Sequence, residues 1–373
     1  MALSYASNLA HVPPINGLYS FVFNPLIYAI LGSCPQMVVG PEAAGSLLVG
    51  SVVKTSVDKG ATAEEDDIMH AKVAGIVTGM AGAAIFIAGL TRLGFLDNVL
   101  SRPFLRGFIS AIGFVIVVDQ LIPEMGLTAL ADQLDVSHGS SVDKLGFLFT
   151  NAGHAHRVTC AVAGVSFVII MICRWVLLRL LLVTRLIFNR ELKNRLQPRF
   201  PKVAYIPDRF LVVVLSAILT WQLQWDTYGL EILGEVKSTS GNPFPFYWPF
   251  QWAHLKHIRE AMGTSFLIAL LGFFESSVAA KSLAGQDKTD GMKGIELSAN
   301  RELVALGVAN LVGSCFRAIP AFGGYGRSKV NASTGGKTPM SSVFLSIITA
   351  VCVVYLLPAF YYLPVSIASS QFI

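Results

Sequence analysis

The chain has 373 residues, 53% hydrophobic and 14% charged, with a formal net charge of +5 and a mean hydropathy of +0.60. Soluble domains carry about 25% charged residues, so this composition excludes a water-soluble globular protein and defines a polytopic membrane protein. Apolar runs recur along the whole length, which excludes a secreted protein with a single leader, and the modest positive balance bears on loop orientation, not on nucleic acid binding.

A spanning helix needs about 20 residues. Only ten residues precede His11-Val-Pro-Pro14, so the first segment is about half the needed length; Gly17–Gly32 is the second span. The third, Pro35–Val53, is broken. Gln36-Met-Val-Val-Gly-Pro-Glu-Ala-Ala-Gly-Ser-Leu-Leu-Val-Gly50 gives a β-branched piece, then Gly40-Pro41, then a short small-residue helix. Pro41 suits the first helical position, where its missing N–H costs nothing. Ile68–Leu93 is the fourth span; its Gly75-x-x-x-Gly79 and Gly79-x-x-Gly82 spacings let a neighbouring helix approach closely.

Phe104–Leu121 is the fifth span. Pro123–Gly153 is polar enough to lie outside, partly as a surface helix. Arg157–Phe188 is a sixth run, longer than a bilayer needs, with Arg174, Arg179 and Arg185 snorkelling toward one interface. Phe210–Trp225 is the seventh, and Asn242–Trp252 is an aromatic, proline-rich connector that suits an interfacial anchor. Ala261–Leu283 is the eighth and Leu303–Phe316 the ninth.

The tenth repeats the device of the third. In Arg317-Ala-Ile-Pro-Ala-Phe-Gly-Gly-Tyr-Gly-Arg-Ser-Lys, Pro320 resists a continuous helix, Gly323, Gly324 and Gly326 follow, and Tyr325–Ser333 can form a short helix. Met340–Leu357 is the eleventh. Interrupted segments in corresponding halves of a chain point to a transport site. Each break frees backbone N–H groups at a new helix start, tolerated at membrane depth only within protein or beside a wet cavity, and such a helix end attracts an anion.

Basic residues set the orientation. The connection Arg185–Arg209 holds seven Lys/Arg, and Arg92, Arg102 and Arg106 mark the connection before the fifth span. Asp58, Glu64, Glu65, Asp66 and Asp67 lie on the other side, as do Asp119, Glu124, Asp132, Asp135 and Asp143. The positive-inside rule puts the loops 92–106 and 185–209 in the cytosol.

Three ionisable groups fall at membrane depth, where such groups are costly and usually functional. Glu275, mid-way along the eighth span, either pairs with a neighbouring helix or serves as a proton or cation site, or hydrogen-bonds substrate. Glu42 either satisfies N–H groups at the start of the third helix or selects for a cation or proton. Arg327 either pairs with Glu42 or Glu275 or supplies fixed positive potential to an anion pocket. Other patterns carry no chemistry. Gly335-Gly-Lys-Thr338 lacks the glycine at position 331 that a phosphate loop needs. Asn331-Ala-Ser333 is a chance sequon, and His154-x-His156 reads as a solvated pair, not a metal site. Cys34, Cys160, Cys173, Cys315 and Cys352 are scattered, with neither zinc spacing nor a disulfide framework. No nucleophile–base pair indicates an enzyme, and no cofactor or metal is implied.

Val38-Val-Gly-Pro-Glu-Ala-Ala, Gly45-Ser-Leu-Leu-Val-Gly50, Glu302-Leu-Val-Ala-Leu-Gly307 and Ser333-Thr-Gly-Gly-Lys-Thr338 resemble the SulP sulfate-permease family of anion transporters. So do Tyr5-Ala6, Pro13-Pro14, Gly17-Leu-Tyr-Ser20 and Arg102-Pro-Phe-Leu-Arg-Gly107, while Gly272-Phe-Phe-Glu-Ser-Ser-Val-Ala-Ala-Lys281 resembles the fungal members most. The resemblance implies an all-α polytopic fold of the SulP/uracil-permease type, with two inverted repeats of seven segments and a core domain moving against a gate domain. Short strands precede the third and tenth helices, and substrate binds between those two helix ends. Carried over, it places Tyr5, Gly40, Pro41, Glu42, Ala43, Ala44, Gly323, Gly324, Tyr325, Gly326, Arg327 and Ser328 at the substrate and gives Glu275 a proton-coupling role.

Compared with that pattern, residues 1–362 are expected to be an incomplete transmembrane domain, with half of the first helix and segments twelve to fourteen missing. Residues 363–373 form a divergent tail, and no cytosolic STAS domain follows. The expectation is a fragment, splice form or imperfect gene model of a multi-pass secondary active transporter. Its partners would be a small inorganic anion, sulfate first, protons, the lipid bilayer and, at full length, a second copy. One rival is the same fold carrying a cationic or zwitterionic solute such as a basic amino acid; the other is a non-transporting membrane scaffold or regulatory form.

Overall fold

The computed structural model describes residues 2–56, 63–95, 102–134, 139–169, 208–225, 242–287 and 297–364, with a few single positions between. Helix α1 (Ala2–Ser4) runs into a π turn (Tyr5–Leu9). Next come α2 (Ile15–Leu31), strand β1 (Val39–Pro41), α3 (Ala43–Ser56), α4 (Ala63–Leu90) and α5 (Arg102–Glu124). The chain continues with α6 (Thr128–Gln133), α7 (Ser141–Asn151), α8 (Arg157–Ile169) and α9 (Asp208–Leu223). It closes with α10 (Leu255–Asp287), α11 (Ala299–Ser314), β2 (Ala321–Gly323), α12 (Tyr325–Ser333) and α13 (Met340–Val351).

Both predicted breaks are present, each as a three-residue strand followed by a helix. The expectation for Pro41 needs correction. It lies in β1, opposite Ala321, and the helix opens two residues later at Ala43. Proline has no N–H to give a ladder and is confined to strand edges or ends; Pro41 ends its strand, and its carbonyl is used by Arg327.

The chain divides into two units. The first comprises residues 1–116 and 235–359. Its centre is the pairing of α4 with α11, the most extensive helix contact among the described residues. A Cβ on Gly82 would lie 2.9 Å from the Leu311 nitrogen, and one on Gly307 2.6 Å from the Phe86 Cα. Small residues therefore permit backbone-to-backbone packing along this face, including Gly82 of the predicted small-residue face, while Gly79 makes room for the Ser314 and Phe250 side chains.

Buried amides and hydroxyls cross-brace the first unit. Asn310 accepts the Ala321 N–H at 2.9 Å and donates to the Ala321 carbonyl at 2.8 Å. Ser20 donates to the Ile319 carbonyl at 2.8 Å. Glu302, 4% exposed, accepts from the Tyr28 hydroxyl at 2.7 Å and the Ser33 N–H at 2.8 Å, while Arg301 donates to the Leu31 carbonyl at 2.8 Å. Two consecutive residues of α11 thus clasp the end of α2 just before β1.

Part of the aromatic connector is packed and part is exposed. Phe244 meets Tyr19 and Phe23, and Phe246 meets Phe316, whereas Trp252 is 91% exposed.

The second unit comprises residues 117–234 and 360–373. Phe147 and Leu148 of α7 pack on Val118, Ile122, Leu127 and Ala131. The predicted surface helix within Pro123–Gly153 is thus a pair of amphipathic helices. Ser140 caps α7 in a reciprocal box with Asp143. The Ser140 hydroxyl, and then its N–H, hold the Asp143 carboxyl below its ordinary range.

By length and composition, Glu65–Leu90 and Leu255–Leu283 each suffice to cross a membrane. The apolar helices Ile15–Leu31, Arg157–Ile169, Val212–Leu223 and Met340–Leu356 are shorter. The basic connection after Phe188, Asp58 of the acidic loop and the tail from residue 365 lie outside the described residues.

Candidate functional site

The two strands pair antiparallel, with Val39 opposite Gly323, Gly40 opposite Phe322 and Pro41 opposite Ala321. Their helices therefore leave the ladder in opposite directions. The two starts sit at opposite ends of three residues of extended chain, about 7 Å at strand rise. Apolar residues cannot supply this junction, because every freed polar group needs a partner.

The partners come from neighbouring elements. Ser276 of α10 accepts the Gly323 N–H at 2.9 Å. Ser328 of α12, fully buried, accepts the Val38 N–H at 3.0 Å. Gly324 donates to the Val38 carbonyl at 3.3 Å. Asn331 donates to the Gln36 carbonyl at 2.9 Å and the Ser341 hydroxyl at 3.1 Å, so the sequon asparagine is spent inside the fold. These contacts leave the first N–H groups of α12, on Tyr325, Gly326 and Arg327, and of α3, on Ala43, Ala44 and Gly45, without an acceptor among the described residues. The α12 end is the open one. Tyr325 is 47% exposed and a Cβ on Gly326 would meet nothing within 4 Å, whereas Ala43 and Ala44 are buried.

Arg327 ties the two ends together. Its Nη1 donates to the Pro41 carbonyl at 2.8 Å, and its Nη2 reaches Glu42 Oε1 at 2.7 Å, the Gly40 carbonyl at 3.2 Å and the Phe322 carbonyl at 3.3 Å. The guanidinium also lies 5.4 Å from the Phe21 ring. Of the alternatives open in the sequence, the pairing of Arg327 with Glu42 is the one observed. At three of the glycines an added side chain would have to displace a neighbouring one. A Cβ on Gly40 would sit 2.3 Å from the Phe21 ring, on Gly323 2.4 Å from Met37 Sδ, and on Gly324 2.5 Å from Glu42 Oε1.

Glu275 lies on α10, which packs against α3, β2 and α12. Its carboxylate is close enough to feel the charges of both Glu42 and Arg327 and makes no hydrogen bond among the described residues. Tyr5 is buried in the π turn that packs on α3. Sequence reasoning did not single out Ser276, Asn310 or Glu302 as site supports. Their signal is a polar group inside or beside an apolar run, the same signal that marks Glu275 in the sequence.

Two half-length helices, each led in by a strand, meet around fixed charges within a bundle of apolar helices, the interrupted-helix arrangement expected of a polytopic membrane protein. The sequence pattern of the Sulfate permease family matches residues 1–373. The chain belongs to that family, and so is an integral membrane protein with its all-α fold. It is 36% identical to a putative sulfate transporter of Saccharomyces cerevisiae over 365 residues, 98% of this chain and 45% of that protein. Among solved structures it resembles the murine Solute Carrier 26 family member A9 anion transporter in the inward-facing state, with TM-score 0.79 and 23% identity, covering 100% of this chain and 56% of that one. It also resembles the transmembrane domain of a cyanobacterium bicarbonate transporter, with TM-score 0.73 and 19% identity, covering 100% of this chain and 83% of that one. The chain spans about half the length of the curated relatives it matches.

Proposed function

We propose that the protein is a secondary active transporter of a small inorganic anion, sulfate first, working by alternating access. The observation that carries this reading is the meeting of two helix N-termini at one ladder with Arg327 between them. Unpaired N–H groups and the positive ends of two helix dipoles favour an anion, and a guanidinium suits a tetrahedral oxyanion. Membership of a permease family and the transporter names of its relatives support a transporter over an enzyme.

The finer assignments belong to the same proposal. The site residues run from Gly40 to Ala44 and from Gly323 to Ser328, with Tyr5 lining the site from the first helix. Glu275 takes up a proton as the anion moves. The unit of residues 1–116 and 235–359 acts as the core that carries the site, within two inverted repeats, and the full-length protein is a homodimer with the loops 92–106 and 185–209 in the cytosol. Full-length protein in vesicles should show saturable sulfate uptake that collapses in Arg327→Ala; unchanged uptake in that variant contradicts the reading.

One observation favours a second reading. Glu42 already neutralises Arg327 at 2.7 Å, and Glu275 adds a further carboxylate nearby, which suits a cationic or zwitterionic solute. Competition by basic amino acids but not by sulfate, with transport abolished in Glu42→Gln, would establish it.

A further inference from the structure

A second cation in the same unit is buried without a counter-charge. Arg317 follows the end of α11 in a left-handed conformation, φ 57°. The Ala318 N–H returns to the Gly313 carbonyl at 3.0 Å, a turn that closes helix ends. Asn16 holds the Arg317 carbonyl at 2.8 Å. The residue is only 7% exposed, and its Nε and Nη1 are buried with no hydrogen-bond partner. Its guanidinium lies 5.2 Å from the centroid of the Tyr247 ring. Tyr247 is itself fixed by its N–H to the Cys315 carbonyl at 2.7 Å and by its hydroxyl to His254. The ammonium of Lys72, in the first half of α4, lies 5.5 Å from the same ring centroid. Among the described residues, no carboxylate pairs with Arg317 or Lys72.

An aromatic face and the negative end of α11 attract a guanidinium, but neither accepts its remaining N–H bonds. Buried charge is stable when it is paired and hydrogen-bonded. Two cations at one ring, with the neighbouring His254 and His257 carrying no negative charge, leave that pairing to a solute. Either free edge of the guanidinium joins Nη2 to one of the two unpaired nitrogens, the fork that receives an oxyanion in two parallel bonds.

We propose that Arg317, held over Tyr247 with Lys72 beside the same ring, forms a second anion site, separate from the ladder of β1 and β2, for a small inorganic oxyanion. Arg317 binds the ion directly, and Lys72 raises its local concentration through space.

Equilibrium binding of radiolabelled sulfate to purified full-length protein, titrated to saturation, tests this. Wild type should take two sulfates per chain. Arg327→Ala should keep the one at Arg317, Arg317→Gln should lose that one, and Arg317→Lys should hold it more weakly. Lys72→Gln, at a half-buried position and checked for an unchanged melting temperature, should weaken the same sulfate several-fold, so the result stands even if Arg317→Gln fails to fold. A single sulfate that depends on Arg327 and is indifferent to Lys72→Gln overturns the second site. A single sulfate lost with Arg317 but indifferent to Arg327 upholds it and instead overturns the central anion reading.

Discussion

The hydroxyl of Ser328 accepts the backbone N–H of Val38 at 3.0 Å. A side chain of the second half-helix thereby holds the chain that leads into the first. The two breaks are a single mechanical object, although 290 residues of sequence separate the partners. Ser328→Ala leaves a buried N–H unpaired, at a cost of about 1–3 kcal/mol. The expected outcome is a lower melting temperature in detergent and weaker substrate binding, with Ser328→Thr closer to wild type.

At Gly324, an added methyl would fall 2.5 Å from Glu42 Oε1 and 2.7 Å from Arg327 Cζ. Gly324→Ala should therefore separate the pair while the helices away from the ladder remain folded. Uptake should fall far more than the melting temperature. Gly326→Ala, at an open position, is the control expected to fold like wild type.

Glu302 clasps Tyr28 and Ser33. Glu302→Ala strands these donors in the protein interior, and bonds to a charged acceptor contribute about 1.5–3 kcal/mol each. Thermal unfolding should show a large destabilisation. Glu302→Gln, whose amide oxygen still accepts, should lose less.

The Asp143 carboxyl is depressed by its bonds to Ser140. A carboxyl whose folded value lies below its unfolded one adds stability above the unfolded pKa of about 3.9, and that contribution fades as pH falls through the folded value. Amide-exchange protection of α7 should hold steady from neutral pH down to about 4 and weaken below it. In Ser140→Ala the carboxyl loses the largest cause of its depression, so α7 should be less protected at neutral pH and the further loss below about pH 4 should shrink.

Much of the site was legible because its signals are local. Pro320 and the glycines after it, like Gly40-Pro41, announce a broken helix wherever they fall, and the predicted short helix Tyr325–Ser333 has the bounds observed. What pairs with what was less legible. The Arg327–Glu42 contact joins distant residues, and the sequence left Glu275 an equal candidate. The fixed φ of Pro41 suits both a first helical turn and a strand end; the partner strand decides between them, and it is far away in sequence. Asn310, Ser276 and Glu302 escaped notice for a related reason. A polar group inside an apolar run signals burial, but only the tertiary structure reveals whether it braces backbone or meets a solute.

The most direct measurement is the affinity of purified full-length protein for radiolabelled sulfate in wild type, Arg327→Ala and Glu42→Gln. Each lost charge-assisted bond is worth about 1.5–3 kcal/mol, and 1.4 kcal/mol is tenfold. The central sulfate should therefore weaken by about tenfold or more in Arg327→Ala. It should tighten in Glu42→Gln, where the competing carboxylate is gone. Binding indifferent to Arg327, or abolished by Glu42→Gln while a basic amino acid binds the wild type, would contradict an anion held between the two helix ends.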